Sequence, residues 1–363
     1  VTPKIVHLVA AARPNMMKIA PLYHALKTQE WCRPLVVHTG QHYDANMSDA
    51  FFRELMLPEP THHLEIGSGT HAEQTGRTMI AYEAVCQAGR PDAIVVVGDV
   101  NATAACAMVG AKAWIPVVHL EAGLRSGDRR MPEEINRLVT DAIADLLWTP
   151  SRDADANLRA EGVAAEKIDC IGNIMLDSFE MLRGKIMAAD MRGKLRLTGP
   201  FAVVTLHRPS NVDEPAKLGE LVAALEQLST SLTVVWTVHP RTRKRLMDFG
   251  LLERVSHAPQ IRATAPLSYV EFMNLVVHAT IAITDSGGVQ EETTYLGIPC
   301  ATLRANTERP ITVSEGTNRL VQPHQLPAAA AEALSGKWPK GRRPDLWDGH
   351  AAERAVRSLH RRL

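Results

Sequence analysis

The stretch richest in chemistry is Ile283-Thr284-Asp285-Ser286-Gly287-Gly288-Val289-Gln290-Glu291-Glu292. An apolar run, Ala279 to Ile283, leads into it, and Gly297 and Pro299 stop the segment that leaves it at Leu296. The order is strand, tight turn, helix start. Gly287 and Gly288 carry no Cβ and let a ligand approach the backbone. The free N–H groups of a first helical turn, at the positive end of the helix dipole, suit a diphosphate. Glu292 falls about one turn further on, placed to accept hydrogen bonds from two vicinal hydroxyls such as those of a ribose. A plainer reading competes, in which Ser-Gly-Gly is a strand-to-helix connection and Ser286 a helix cap.

Other polar residues collect where strands end. Asp99 follows the β-branched run Asp92 to Val97; it reads either as a residue facing a ligand or as the cap of the helix that follows. Glu121 follows the run Ile115 to Leu120, and an acid placed directly after a buried strand is costly unless paired or used. Glu133 and Glu134 open a helix at Met131-Pro132, where acids are favoured by the dipole alone. Arg13 and Lys18 bracket another helix N-terminus, suited to phosphate capture by Arg13 with support from Lys18, or to a solvated helix face. His207 and His239 each follow an apolar strand, Phe201 to Leu206 and Leu232 to Val238. The Gly40-Gln41-His42-Tyr43-Asp44 loop either touches substrate or is a plain connection.

Positioning these residues requires strands and helices in alternation. The first half reads as strands at Lys4–Val9, Leu35–Thr39, Asp92–Val97, Ile115–Leu120, Leu146–Thr149 and Ile168–Ile171, with helices between them. After Gly172-Asn173 the alternation restarts. The expected fold is α/β: two Rossmann-like doubly wound domains facing across a cleft. The expected boundaries are 1–172, joined by a C-terminal helix at about 350–363, and 173–349.

The 363 residues balance 40 Lys+Arg against 40 Asp+Glu, so no bulk field draws the chain to nucleic acid or an anionic membrane. A hydrophobic content of 45% is enough for packed cores. The five cysteines, Cys32, Cys86, Cys106, Cys170 and Cys300, form no CxxC pair; buried reduced thiols and no metal site are expected. The chain opens directly on a strand without a signal peptide, and no apolar run approaches the ~20 residues of a membrane span. A cytoplasmic protein is the expectation.

With these residues set out, the chain resembles the non-hydrolysing UDP-N-acetylglucosamine 2-epimerase family over nearly its whole length. The resemblance rests on Arg13-Pro14 with Lys18, Gly98-Asp99, His119 to Arg125, Pro132 to Arg137, His207-Arg208, Asp285 to Glu292 and Thr307-Glu308-Arg309-Pro310. It implies a glycosyltransferase B-type fold and reversible conversion of UDP-GlcNAc to UDP-ManNAc through 2-acetamidoglucal. No cofactor is implied, consistent with the lack of a GxGxxG fingerprint after the first strand. By the same resemblance Asp99, Glu121 and Glu133 are the catalytic carboxylates, on two faces of the sugar because the proton leaves one and returns to the other. His207 assists the departing diphosphate. Arg13, Ser286, Gly287 and Gly288 hold the phosphates, Glu292 the ribose, and Arg309 and His239 further parts of the UDP site. Phe272 aligns near the uracil. A homodimer is implied, and ManNAc-containing surface polysaccharide as the product fed. Hydrolysing 2-epimerases and glycosyltransferases of the same fold share enough of these motifs to stand as alternatives. The chain also departs from the family at Ala11-Ala12-Arg13-Pro14-Asn15, at His207-Arg208-Pro209-Ser210-Asn211 and at His239-Pro240-Arg241. Its Gln41 to Met47 stretch is longer than the family's Gln-x-x-x-Met activator loop. These departures leave the exact sugar and any allosteric activation open.

Overall fold

The structure, a computed structural model, describes residues 2–40, 52 and 54–363, with Arg13 described by its backbone alone. The chain divides into two compact units, Val1–Met181 with Asp345–Leu363, and Leu182–Pro344. The division falls inside the helix Ile174–Ala188.

In the first unit, strands β1 (Lys4–Ala10), β2 (Cys32–His38), β3 (His62–His63), β4 (Ala93–Val97), β5 (Val117–Leu120), β6 (Leu146–Thr149) and β7 (Ile168–Cys170) form one sheet of order β3-β2-β1-β4-β5-β6-β7. Every described pairing is parallel. Such a sheet is covered on both faces, so its central strands are continuously apolar; all five residues of β4 are buried. The chain order reverses between β1 and β4, and crevices at such reversals bind ligands beyond the strands' carboxyl ends. Ala11-Ala12-Arg13 and Gly98-Asp99 leave the sheet there.

The C-terminal helix Ala351–His360 belongs to this first unit. Asp177 caps it, its carboxylate accepting the amides of Ala351 and Ala352 at 3.1 and 2.7 Å. Burial raises the Asp177 pKa to about 6 against the pull of those two amides. Trp148 in β6 donates its indole N–H to Ser358 at 2.8 Å, which satisfies the polar atom of a fully buried ring.

The second unit repeats the plan with β8 (Phe201–Thr205), β9 (Thr233–Thr237), β10 (Ile261–Thr264), β11 (Ile281–Thr284), β12 (Cys300–Thr302) and β13 (Asn318–Leu320), in the order β10-β9-β8-β11-β12-β13. Its described pairings are again all parallel. The reversal lies between β8 and β11, whose last residues, Thr205 and Thr284, are register partners. His207 and Asp285 therefore leave the sheet side by side. Helix Gly287–Leu296 starts at once and ends on Gly297 in the left-handed region, φ 73°, as the glycine after Leu296 suggested.

Candidate active site

In the first unit β4 and β5 end together, Val97 opposite Leu120, so Gly98-Asp99 and Glu121 are neighbours. Glu121 has φ 76°, in a region that non-glycine residues seldom occupy. It is only 7% exposed, and its carboxylate pairs with the Lys18 ammonium, itself 8% exposed. Lys18 is thus not on a solvated helix face: its ammonium pairs with Glu121. Gly98, φ 68°, faces this pair, and a Cβ there would come within 3.4 Å of the Glu121 carboxylate and 3.5 Å of the Asn15 amide. Asn15 fastens the turn beneath, accepting the amides of Ala11 and Ala12 and donating to the Val97 carbonyl.

Asp99 is not a helix cap. The N-cap of Asn101–Lys112 is Val100, which makes no side-chain bond, and the Asp99 carboxylate pairs instead with Arg137. Arg137 is turned towards it by Glu134, which accepts Nε and Nη2 at 3.1 and 2.6 Å. Glu134 also accepts the amides of Ser126 and Gly127. Burial opposes its ionisation, but those amides and Arg137 outweigh it and lower its pKa. Of the two acids in this first turn, Glu134 is a structural clamp, whereas Glu133 is exposed.

In the second unit Asp285, fully buried, is the hub. It accepts the amides of His207 and Arg208 and the side-chain N–H of Asn211 at 2.9 to 3.1 Å. The His207 ring presents Nδ1 to the same carboxylate at 3.1 Å, so Nδ1 carries a hydrogen and Nε2 is left for other partners. Burial raises the Asp285 pKa, but His207, the Arg208 amide and Asn211 together bring it below the usual carboxylate range. His239 lies beside His207, ring centroids 5.3 Å apart, and accepts the Arg241 amide on Nδ1 as cap of the helix Pro240–Asp248.

Ser286 is the N-cap residue of Gly287–Leu296 by position but makes no side-chain cap bond, which removes the plain capping role. Gly287 is closely covered: a Cβ there would lie 2.4 Å from Arg309 Nη1 and 3.0 Å from Glu308 Oε1. Gly288 follows, half-buried, in the first turn. Arg309 is held by Glu291 and Glu308 at 2.6 Å each. Glu308 also pairs with Arg304 at 2.7 Å and Arg208 at 3.4 Å. Three arginines thus gather at the start of one helix, and burial, with the Arg304 charge next, lowers the Arg208 pKa. Cations concentrated at a helix N-terminus favour a polyanion. Glu292 is buried and accepts the Tyr269 hydroxyl at 2.8 Å. Burial raises its pKa to about 8, with the Glu291 charge adding to the rise and the Tyr269 bond opposing it. Phe272, half-buried, lies three residues beyond Tyr269 on the same helix, Tyr269–His278.

The structure therefore brings together Lys18, Asp99 and Glu121 in one unit, and His207, His239, Ser286, Gly287, Glu292 and Arg309 in the other. The Arg13 side chain and the Gln41 to Met47 loop lie outside the described residues. Sequence reasoning assigned no role to Asp285, Asn15, Arg137 or Tyr269. Asp285 carried the signal used for Glu121, an acid directly after a buried strand; Tyr269 carried none. Among the described residues no group of three or more His, Cys, Asp or Glu is arranged to hold a metal ion, and no helix is long and apolar enough to cross a membrane.

Two parallel, doubly wound units with polar residues gathered at the sheets' reversals define an α/β protein of the glycosyltransferase B-type. A profile of UDP-N-acetylglucosamine 2-epimerases matches residues 24–360, and the chain belongs to that enzyme family. The UDP-N-acetylglucosamine 2-epimerase of Methanocaldococcus jannaschii is 40% identical over 361 residues, 97% of this chain and 98% of that protein. The UDP-2,3-diacetamido-2,3-dideoxy-D-glucuronate 2-epimerase of Pseudomonas aeruginosa is 39% identical over 316 residues, 86% of this chain and 87% of that one. The crystal structure of the M. jannaschii UDP-GlcNAc 2-epimerase in complex with UDP-GlcNAc and UDP matches with a TM-score of 0.89 at 38% identity, covering 98% of this chain and 99% of that one.

Proposed function

We propose that this enzyme interconverts UDP-GlcNAc and UDP-ManNAc without hydrolysis. The C2–H bond breaks and its proton passes to a carboxylate. The C1–O bond breaks and its electron pair leaves with UDP, so that C1 and C2 become doubly bonded in 2-acetamidoglucal. UDP oxygen then re-adds to C1 while a proton is delivered to the opposite face of C2. The observation that carries this reading is Glu121: a buried carboxylate in an unfavourable backbone conformation, secured by Lys18 at a strand exit. Backbone strain of this kind persists where the surroundings over-determine it, and functional sites are where it gathers.

Asp99, Glu121 and Glu133 serve as the proton-exchanging carboxylates. His207, oriented by Asp285, assists the departing diphosphate. Arg13, Ser286, Gly287, Gly288 and Arg309 hold the phosphates, with His239 beside them; Glu292 takes the ribose and Phe272 the uracil. The same reading carries a cytoplasmic homodimer feeding ManNAc-containing polysaccharide.

The test is incubation with UDP-GlcNAc in D2O. Deuterium at C2 and formation of UDP-ManNAc support epimerisation. Free ManNAc as the main product would replace it with a hydrolysing reaction, and UDP release that depends on an acceptor sugar with a glycosyltransferase. Exchange seen only with a diacetamido uronate would move the substrate to that class.

Glu292 supplies a pH dependence. A ribose diol donates best to an ionised carboxylate, yet with a pKa of about 8 Glu292 is mostly protonated in the free protein at neutral pH. Dissociation constants scale inversely with the competent fraction, so UDP is expected to bind about tenfold more tightly at pH 9 than at pH 7. Titration calorimetry across that range checks it. Glu292→Gln should flatten the dependence, and a flat profile in the unsubstituted protein would exclude the ribose role.

A further inference from the structure

Asp141 and His119 are both buried and neither reaches the surface where a substrate could touch it. They nevertheless join the two turns that carry Asp99 and Glu121. His119 Nδ1 lies 2.5 Å from Asp141 Oδ1, and Nε2 lies 2.8 Å from the carbonyl of Gly98, the residue before Asp99. The other oxygen of Asp141 accepts the amide of Gly123 at 3.1 Å, two residues beyond Glu121, and pairs with Arg125 at 2.7 Å. Burial opposes ionisation of Asp141, but His119 and Arg125 outweigh it and its pKa is lowered.

Neither turn is at rest without help. Gly98, Glu121 and Gly123 all have positive φ, at 68°, 76° and 79°. Gly123 cannot carry a side chain, since a Cβ would meet the Ala154 carbonyl oxygen at 2.5 Å. Backbone held in such conformations keeps its geometry only where several bonds fix it. Asp141 and Arg137 lie four residues apart on the helix Pro132–Ile143 and so share one face. From that face Arg137 pairs with the Asp99 carboxylate and Asp141 takes His119 and Gly123, while the neighbouring Asn136 donates to the Asp99 carbonyl at 2.9 Å. One helix therefore holds the Asp99 carboxylate directly and fastens the turn that carries Glu121.

We infer that the buried Asp141–His119 pair is a positioning device, fixing the separation of Asp99 from Glu121 so that proton removal and proton return act on one sugar carbon without loss of the intermediate. The inference rests on the epimerase reading, and the consequence is specific. If the two carboxylates lose their mutual setting, elimination still begins but return of the proton lags, and the unsaturated sugar escapes with UDP.

The test uses Asp141→Asn and His119→Asn in the full-length protein. An Asn at 119 keeps a donor near the Nδ1 position but does not reach the Gly98 carbonyl. For each, kcat, KM, UDP affinity and the ratio of released 2-acetamidoglucal to UDP-ManNAc are measured. The expected result is a kcat reduced about 10²-fold, KM and UDP affinity within about threefold, and a glycal-to-epimer ratio raised at least about tenfold. A variant that is only less well folded loses both products in proportion and leaves the ratio unchanged, which would overturn the inference. A folded variant with kcat within about threefold of the parent would overturn it equally. Should Asp141→Asn not fold, His119→Asn decides by the same ratio. Failure of the epimerase reading itself is distinguishable, because the unsubstituted protein would then give no C2 exchange.

Discussion

Glu121→Gln is expected to lower C2 proton exchange and epimerisation together by about 10³-fold, within the range attributed to a positioned acid or base, while UDP affinity stays within about twofold. Glutamine keeps the volume and can still accept from Lys18, so the change isolates the proton-carrying function from packing. The residue is 7% exposed, its ion-pair partner is equally buried, and its backbone already lies at φ 76°. Truncation to alanine would be a poorer test: it strands the Lys18 ammonium, and an uncompensated buried charge costs several kcal/mol. The control is Glu134→Gln. Glu134 holds Ser126, Gly127 and Arg137, so its loss should appear first as a lower melting temperature. Measuring deuterium incorporation at C2, epimer yield and UDP binding on both variants separates the two roles. If Glu121→Gln exchanged protons at a rate within tenfold of the parent, Glu121 would not be the proton carrier.

Much of this site is legible in the residue order. Strands with continuous apolar runs were readable because a parallel sheet buries both faces, as β4 shows. Elements stabilised otherwise were not. The helix His71–Ala88 turns Gln74, Thr78, Tyr82 and Cys86 inward, a stripe too polar at one end to register as an apolar face. Its Gln74 instead accepts from Asn101 at 2.9 Å. A capping box of Thr70 and Glu73 opens it. The helix Pro240–Asp248 buries just Thr242 and Leu246, and edge strands β3, β10 and β13 are too short and too polar to stand out.

The site behaved in the same way. Residue type and strand-exit position pointed to Asp99 and Glu121, because ionised groups beside buried strands need a reason. Which of Glu133 and Glu134 is structural could not be read, since both satisfy the helix dipole; only the inward turn of Glu134 separates them. The ion pair of Lys18 could not be read either, because its partner, Glu121, lies 103 positions away in the chain. Local spacing carries no information about such a pair.

Gly287→Ala is expected to weaken UDP binding by about 30-fold, for a reason that differs from the one glycine usually suggests. The backbone at 287 is helical rather than left-handed, so alanine is conformationally welcome there, and in a helix it is favoured over glycine by nearly 1 kcal/mol. The cost arises from the space above. An added Cβ would lie 2.4 Å from Arg309 Nη1 and 2.8 Å from Cζ. An arginine tip can ordinarily swing aside, but this one is gripped by Glu291 and Glu308 at 2.6 Å each. Moving it breaks charge-assisted bonds, each contributing about 1.5–3 kcal/mol, or carries it away from the phosphates it is proposed to hold, at about 1.4 kcal/mol per factor of ten in affinity. Two explanations of the glycine can then be told apart by a double-mutant cycle. If Gly287 is there to make room for Arg309, adding Gly287→Ala to Arg309→Ala costs nothing further, because the clash has gone with the guanidinium. If instead the ligand itself packs on the bare Cα, the two losses add. The arrangement of Arg309 over Gly287 favours the first outcome, and UDP titration of the parent, both single variants and the double variant measures it. Additive losses within about 0.5 kcal/mol would show that the glycine serves the ligand directly.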